Sequence, residues 1–461
     1  MYNVEEYNIK IKKYFKNYII YLLIINSIFY LIFIILNLNK KNNFSPHSPE
    51  IKEIKIKEGK SAKIGIISDF QLTKKYYESF FHYFEENVYR ALKVFKKNNI
   101  DIIIIAGDIT NDGESSNYII FNKIFYSVYN NNQTTPVVIS IMGNHDYMDI
   151  AFKNKENQEK FFKYTKSYPY SHYIINNYNF IFWSNDNLNY DDYGTEDYTW
   201  IESKLYKAKK NKKSEGDPIF VITHIPPKGT VYGSEGMWGS QRIYDILKDY
   251  PEVICISGHS HYSLRNIKSI WQGSFTTINT QSISYVDLDN DYKNAMDIRM
   301  DSAKNDSMGL IAYLNKSNIV FERIEFSTEE ILDEKWVINF PINVSDFKYT
   351  FDKRNKKIKP VFKDKTEIRV EKIKTKNFIV FNAAFHEDYV YIYKIILKSK
   401  DKYNNMEYLY YSDYYKNKKL RKKIIKFELP NGLSSNKYDV EIYAIDSFDN
   451  ISDPKKGIIE I

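Results

Sequence analysis

Apolar residues follow two rhythms along this chain. Between residues 61 and 326, short unbroken apolar runs alternate with amphipathic stretches. Lys63–Ser68 (KIGIIS), Asp101–Ala106 (DIIIIA), Pro136–Met142 (PVVISIM), Phe180–Trp183 (FIFW), Pro218–Thr223 (PIFVIT) and Val253–Ser257 (VICIS) read as buried strands. Tyr76–Asn98 carries Phe80, Phe81, Phe84, Val88, Leu92 and Phe95 at helical spacing, and Ser115–Asn130, Tyr198–Lys209 and Gln241–Asp249 also read as helices. Phe275–Thr280 and a hairpin around Asn315, within Gly309–Phe326, add strands. The charged stretch Asp287–Ser307 reads as an inserted loop, and Lys228–Gly239, with Tyr232, Met237 and Trp238, as a loop over a site. Strand–helix alternation with short apolar strands predicts an α/β domain with parallel pairing.

From residue 358 to 461 the rhythm changes to period two. Glu367–Ile373, Asn377–Asn382, Val390–Leu397, Glu407–Tyr411, Ile424–Leu429 and Tyr438–Ile445 alternate and are separated by turns, the pattern of a small all-β sandwich. Residues 327–357 read as a connector, and 41–60, with Pro46 and Pro49, as a linker. The basic run Lys416–Lys426 reads as a solvated hairpin edge.

The first 40 residues differ from both regions. Tyr18–Leu38 is uncharged, and a helix of about 20 apolar residues crosses a bilayer core. The run is long for a signal peptide and no small-residue cleavage site follows it, so an uncleaved signal anchor is preferred to a cleaved signal. Lys10, Lys12, Lys13 and Lys16 precede it and only Lys40 and Lys41 follow closely. The lysine excess places residues 1–40 as a cytoplasmic tail and single transmembrane anchor, with the catalytic domain extracytoplasmic.

Composition refines this picture slightly. At 461 residues, two or three domains are expected, and 42 Tyr and 29 Phe supply ample core material. One cysteine, Cys255, excludes an intramolecular disulfide framework. The net charge of +8 accompanies enrichment in Lys, Ile, Asn and Tyr together, so no nucleic-acid partner is expected from it.

The candidate chemistry lies where the inferred strands stop. Asp69 and Gln71, Gly107-Asp108, Gly143-Asn144-His145-Asp146, His224, and Gly258-His259-Ser260-His261 each follow a strand, and ligand-binding groups of parallel sheets gather at the carboxyl ends of strands. Carboxylate oxygens and imidazole nitrogens together suit Zn, Mn or Fe ions. In kind and order, this series resembles the motifs of calcineurin-like metallophosphoesterases, over about Lys63 to Phe326. The C-terminal stretch Tyr438–Ser452 (YDVEIYAIDSFDNIS) is similar to the last strands of fibronectin type III-like domains.

The resemblance implies a four-layer αββα sandwich over residues 61–326, holding two divalent ions. Asp69, Gln71, Asp108 and His261 would hold one ion. Asp108, Asn144, His224 and His259 would hold the other, with Asp108 bridging. It implies hydrolysis of a phosphate mono- or diester by in-line attack of a hydroxide bridging the metals. His145 would be the catalytic partner of the phosphoryl group, and Asp146 would orient the His145 ring. One position departs from the family: Gln71 stands where its first motif usually has histidine, which implies a weaker first site shifted toward Mn²⁺ or Fe²⁺. That departure also supports an alternative, a surface binding or adhesion protein whose phosphoesterase domain is degenerate and whose C-terminal domain meets a cell-surface partner.

Overall fold

The computed structural model describes residues 21–31, 44–56, 60–74, 83–130, 135–149, 151, 154–184, 195–212, 214–288, 291–363, 367–399, 405–433 and 436–461. The chain divides into two compact units, Met1–Ser45 and Pro46–Ile461. In the first, residues 21–31 are helical, with Tyr21, Leu23, Phe29 and Leu31 exposed. The remainder of the Tyr18–Leu38 run lies outside the described residues. Among the described residues, no helix is long and apolar enough to cross a membrane.

In the second unit, two mixed sheets are built from β1 (Lys52–Ile54), β2 (Ala62–Ile67), β3 (Ile102–Ala106), β4 (Val137–Ile141), β5 (Tyr170–Ile175), β6 (Tyr178–Trp183), β7 (Ile219–Thr223), β8 (Val253–Ser257), β9 (Ile270–Gln272), β10 (Thr276–Asn279), β11 (Met308–Leu314), β12 (Asn318–Glu325), β13 (Glu330–Ile331) and β14 (Trp336–Asn339). One sheet runs β1-β5-β6-β7-β8-β10-β9 and the other β13-β12-β11-β2-β3-β4, with β14 also on β12. The strands β2, β3 and β4 pair in parallel, as do β6, β7, β8 and β10. The longer helices are α1 (Tyr83–Lys97), α2 (Ser115–Tyr129), α3 (Asn154–Thr165), α4 (Thr195–Lys210), α5 (Gln241–Leu247) and α6 (Ala295–Asn305).

The two-residue period of the strands builds the layers. In β3, Ile102, Ile104 and Ala106 enter the core between the sheets, while Ile103 and Ile105 face the helices. In β7, Phe220 and Ile222 enter the same inter-sheet core, and Ile219 and Val221 turn outward. The outward faces are covered by Val88, Leu92 and Phe95 of α1 on one side and by Ile201 and Leu205 of α4 on the other. The result is helix, sheet, sheet, helix. Strands sandwiched this way are buried on both faces, which is why they read as unbroken apolar runs.

Three expected boundaries change. The 41–60 linker contains β1, which pairs in parallel with β5 at the edge of its sheet. The 327–357 connector contains β13 and β14, both paired to β12, so the sheet continues past residue 326. The expected loop 287–307 contains α6, whose charged sequence buries only Ile298, Ser302 and Ala303. The charged elements β1, β13 and α6 lack the apolar periodicity that marks the others, and the apolar β14 is only four residues long.

The C-terminal region is all-β. A three-stranded sheet, β15 (Arg369–Ile373), β16 (Lys376–Asn382) and β19 (Ile424–Glu428), faces a four-stranded sheet of β17 (Ile392–Ser399), β18 (Met406–Tyr411), β20 (Lys437–Ile445) and β21 (Lys455–Glu460). Ile379 and Phe381 from one sheet and Tyr393, Ile395, Val440 and Ile442 from the other share one core. This sandwich docks on the α/β domain through tyrosines: Tyr389, Tyr391, Tyr411 and Tyr414 pack with Tyr232, Tyr262, Val286 and Ile298. Tyr391 donates its hydroxyl to Tyr232, and the Asn294 amide makes two bonds of 2.9 Å to the Tyr411 backbone. Within the basic run, Lys416 pairs with Asp301 of α6 at 2.5 Å and Lys426 with Glu371 at 2.6 Å.

Candidate metal centre

Five parallel strands from both sheets deliver their carboxyl ends to one place. Strand β2 leads into Asp69, β3 into Asp108, β4 into Asn144, β7 into His224, and β8 into His259 and His261. The backbone there is unusual. Asp69 (φ 55°), Gln71 (45°), Asp108 (53°), His259 (72°) and His261 (59°) all adopt left-handed conformations, which cost roughly 1–3 kcal/mol each where strained. The packing also depends on missing side chains. A Cβ at Gly143 would lie 2.2 Å from Asp108 Oδ1, and one at Gly107, itself at φ 93°, would lie 2.5 Å from His224 Nδ1.

The seven expected ligand residues come together and are buried. Donor atoms of Asp69, Asp108 and His224 lie within 4.8 Å of one another. His224 Nδ1 donates to the Ala106 carbonyl at 2.8 Å. Its Nε2 then faces Asn144 Oδ1 at 3.1 Å, Asp108 Oδ2 at 3.2 Å and Asp69 Oδ1 at 3.8 Å. A nitrogen lone pair converging with three oxygens calls for a proton or a cation between them. His261 Nε2 repeats the motif, 3.1 Å from Asp69 Oδ1 and 3.4 Å from Gln71 Nε2. The His259 ring stands 5.0 Å from that of His224, and its backbone N–H donates to Asp69 at 3.1 Å.

Electrostatics point the same way. Burial would raise the Asp69 carboxyl, but His261 and His224 beside it hold it below its ordinary value. Burial also opposes ionisation of Asp108, and His224 and His145 overcome it, holding its carboxyl well below the usual range. Against its own burial, His224 is pushed up to about 9 by Asp108 and Asp69. His259 is pushed down to about 3 by burial and by the charge of His224. Two ionised carboxylates in a dry pocket demand positive charge. The residues therefore fit divalent ions bound by oxygen and imidazole, of the Mn, Fe or Zn kind.

His145 differs from the other three. It is half-buried at the rim, its backbone N–H donates to Asp108 Oδ1 at 2.9 Å, and its ring Nδ1 donates to the Asn111 carbonyl at 2.7 Å. That contact corrects the expectation for Asp146. Asp146 lies beneath the loops and accepts from Thr110 N (3.1 Å), Thr110 Oγ1 (2.9 Å), Tyr118 OH (3.0 Å), Ile109 N (3.3 Å) and Gly143 N (3.1 Å). It sits third in the short helix Asn144–Tyr147 and reaches back to the residue before it, a place that leaves its carboxylate facing backbone amides and not the His145 ring. Burial, then the charge of Asp108, pushes its carboxyl up to about 6. The residue that orients His145 is Asn111, through a backbone carbonyl that no side-chain pattern announces.

As expected of its loop, the Trp238 ring tilts against His259 at 5.4 Å. Tyr285 against His261 at 4.6 Å is a contact the sequence did not signal. Tyr232, expected over the site, turns instead into the sandwich interface.

Residues 62–263 match the family model of calcineurin-like phosphoesterases and form a domain of that kind. No curated protein matches the chain in sequence. Among solved structures, a dimetal phosphatase from Danio rerio is similar at 11% identity, covering 61% of this chain and 99% of that one, with a TM-score of 0.42. A protein described as the anchor in the inner membrane complex of Plasmodium is similar at 15% identity, covering 64% of this chain and 92% of that one, with a TM-score of 0.43. A purple acid phosphatase from yellow lupin seeds is similar at 13% identity, covering 60% of this chain and 54% of that one, with a TM-score of 0.41.

Proposed function

We propose that this chain, built on a calcineurin-like metallophosphoesterase domain, is a dinuclear metal-dependent hydrolase of phosphate mono- or diesters. The observation that carries the reading is the convergence of Asp69, Asp108 and His224 donor atoms within 4.8 Å, at the ends of strands from both sheets. Asp69, Gln71, Asp108 and His261 would hold one ion, and Asp108, Asn144, His224 and His259 the other. Bound there, two divalent ions (Mn, Fe or Zn) supply Lewis acidity toward a phosphoryl group and make a water acidic near neutral pH.

The chain's own groups do the rest. Asp108 has one oxygen toward His224 and the other on the His145 backbone, a posture suited to a shared ligand. With Nδ1 committed to the Asn111 carbonyl, His145 presents Nε2 outward. There it stabilises phosphoryl oxygens or gives a proton to the leaving alcohol. Trp238 and Tyr285 wall the two sides of the site.

The test uses the purified chain with aryl phosphate mono- and diesters and Mn²⁺, Zn²⁺ or Fe²⁺. Hydrolysis that depends on metal and is lost in Asp108→Asn is expected. Absence of hydrolysis with every metal, or full activity in Asp108→Asn, overturns the proposal. The alternative of a degenerate binding protein rests on Gln71, and fewer than one bound ion per chain under metal-replete conditions would favour it.

We further propose that Tyr18–Leu38 anchors the protein in a membrane with the catalytic domain outside. The uncharged run, the lysine excess before it and the exposed apolar helix at residues 21–31 support this reading. Protection of the C-terminal domains from protease in whole cells would refute it. The three-plus-four strand arrangement of the C-terminal sandwich supports a fibronectin type III-like assignment.

A further inference from the structure

Trp238 is the one exposed tryptophan of the chain's five. Trp183 and Trp336 are buried, Trp200 and Trp271 are half-buried, and Trp238 is 41% exposed. A single exposed apolar ring means little by itself; its place gives it meaning. The ring lies 5.4 Å from that of His259, tilted by 57°, so it meets a candidate ligand and keeps much of its surface open. The loop that carries it is tied down. Lys228 N donates to the Ser240 carbonyl at 3.0 Å and Ser240 N to the Pro226 carbonyl at 2.9 Å, closing the loop at its neck. Inside it, Thr230 N donates to Ser234 Oγ at 2.9 Å and Gly233 N to Glu235 Oε2 at 3.1 Å. Tyr391 of the C-terminal sandwich holds Tyr232 from outside. A ring presented by a loop already fixed costs little ordering entropy when a ligand uses it.

The opposite wall is closed. Tyr285, 4.6 Å from His261, has the Phe84 ring stacked at 6.0 Å and the Arg299 guanidinium at 5.3 Å, so protein already fills its surroundings. Trp238 is also on the side of His145. That residue follows Asn144, whose Oδ1 is 3.1 Å from His224 Nε2, and the His224 ring is 5.0 Å from the His259 ring that Trp238 meets. A group leaving with the His145 proton has the open indole on its side of the centre. Resting on the phosphoesterase reading of the site, we infer that Trp238 is a stacking platform for the leaving group and that the esters hydrolysed are those of flat aromatic alcohols. Aromatic pairs stabilise each other beyond what their buried area gives, so an indole tells a flat ring from an aliphatic ring of similar size. The closeness of Trp238 to His259 suits a ring borne directly on the ester oxygen. Its role is specificity: it holds the group that departs and makes no bond to phosphorus.

The test measures binding of two phosphonates to the Mn²⁺-loaded, full-length protein by calorimetry. In both, CH₂ replaces the ester oxygen, so nothing is hydrolysed. Benzylphosphonate should bind about 2–10-fold more tightly than cyclohexylmethylphosphonate, the scale of one aromatic pair. The preference should disappear in Trp238→Ala and persist in Trp238→Phe. In kinetics, Trp238→Ala should raise KM for phenyl phosphate more than for glycerol phosphate, with kcat less affected, the mark of a contact made equally to bound substrate and transition state. A wild type without the preference, a preference that survives Trp238→Ala, or equal KM changes for the two esters refutes the inference. A preference lost in Trp238→Ala, without hydrolysis of any ester, would sustain the platform and defeat the phosphoesterase reading. Metal-dependent hydrolysis without the preference would do the reverse.

Discussion

Replacing Asp146 with asparagine separates a structural role from a catalytic one. Its Oδ1 accepts from Thr110 N, Thr110 Oγ1 and Tyr118 OH, and its Oδ2 from Ile109 N and Gly143 N. In Asp146→Asn one oxygen becomes an NH₂ group. The less costly orientation keeps oxygen on the side with three donors. The backbone amides of Ile109 and Gly143 then face another donor at a buried site. A buried donor left unsatisfied costs about 1–3 kcal/mol, so for two donors the expected loss is about 2–6 kcal/mol, a large part of a typical folding free energy of about 5–15 kcal/mol. The assay is urea denaturation of the metal-free protein at fixed pH, following tryptophan fluorescence, beside kinetics of the metal-loaded form. The denaturation midpoint should fall, and metal affinity should fall with it, because the strained loops bearing Asp108 and Asn144 lose their common tie. An unchanged midpoint with a lower kcat would refute this reasoning and return Asp146 to the role of orienting His145.

Three other outcomes follow from the geometry. Gly143→Ala should lower kcat by about 100-fold, the scale of an ångström misplacement, since its Cβ would lie 2.2 Å from Asp108 Oδ1; wild-type kinetics would count against the close approach. Chelation should destabilise the protein, and Mn²⁺ at about 100 times its Kd should return about 2.7 kcal/mol; a denaturation midpoint indifferent to metal, or a response that survives in Asp108→Asn, would contradict the metal centre. Burial pushes the Asp306 carboxyl up to about 8 against the attraction of Arg265, 4.0 Å away. Its folded value exceeds its unfolded one, so its stabilising contribution is complete below pH 4 and is lost as pH rises through about 8. Asp306→Asn should therefore gain on the wild type across that window, by at most about 1.4 kcal/mol per pH unit; parallel pH–stability curves would refute it.

Much of this protein was legible in residue order. Unbroken apolar runs in DIIIIA and PIFVIT announced strands covered on both faces, and the helical spacing of Val88, Leu92 and Phe95 announced the helix that covers one of them. The candidate ligands stood out at the strand ends because a ligand must be present as a residue type before any fold can use it. Asp69, Asp108, Asn144, His224, His259 and His261 were identifiable for that reason. Elements without an apolar signature were not. The strand β1 and the helix α6 hold through pairing and a few buried side chains, so their charged sequences read as linker and loop.

Tertiary structure alone decided which atom meets which. The sequence places His145 beside Asp146, yet the ring bonds the Asn111 carbonyl and the carboxylate bonds four donors on the neighbouring loops and one, Tyr118, on α2. Gln71 meets His261 and Ser284, which follow it by 190 and 213 residues in the chain. The sandwich, visible in sequence as alternation, is fixed to the α/β domain by Tyr391 on Tyr232. The physical reason is common to all three. Residue type sets which bonds a side chain can make, but its partner is set by backbone angles, here left-handed at five site residues, and by chain segments that meet only when the sheets are assembled.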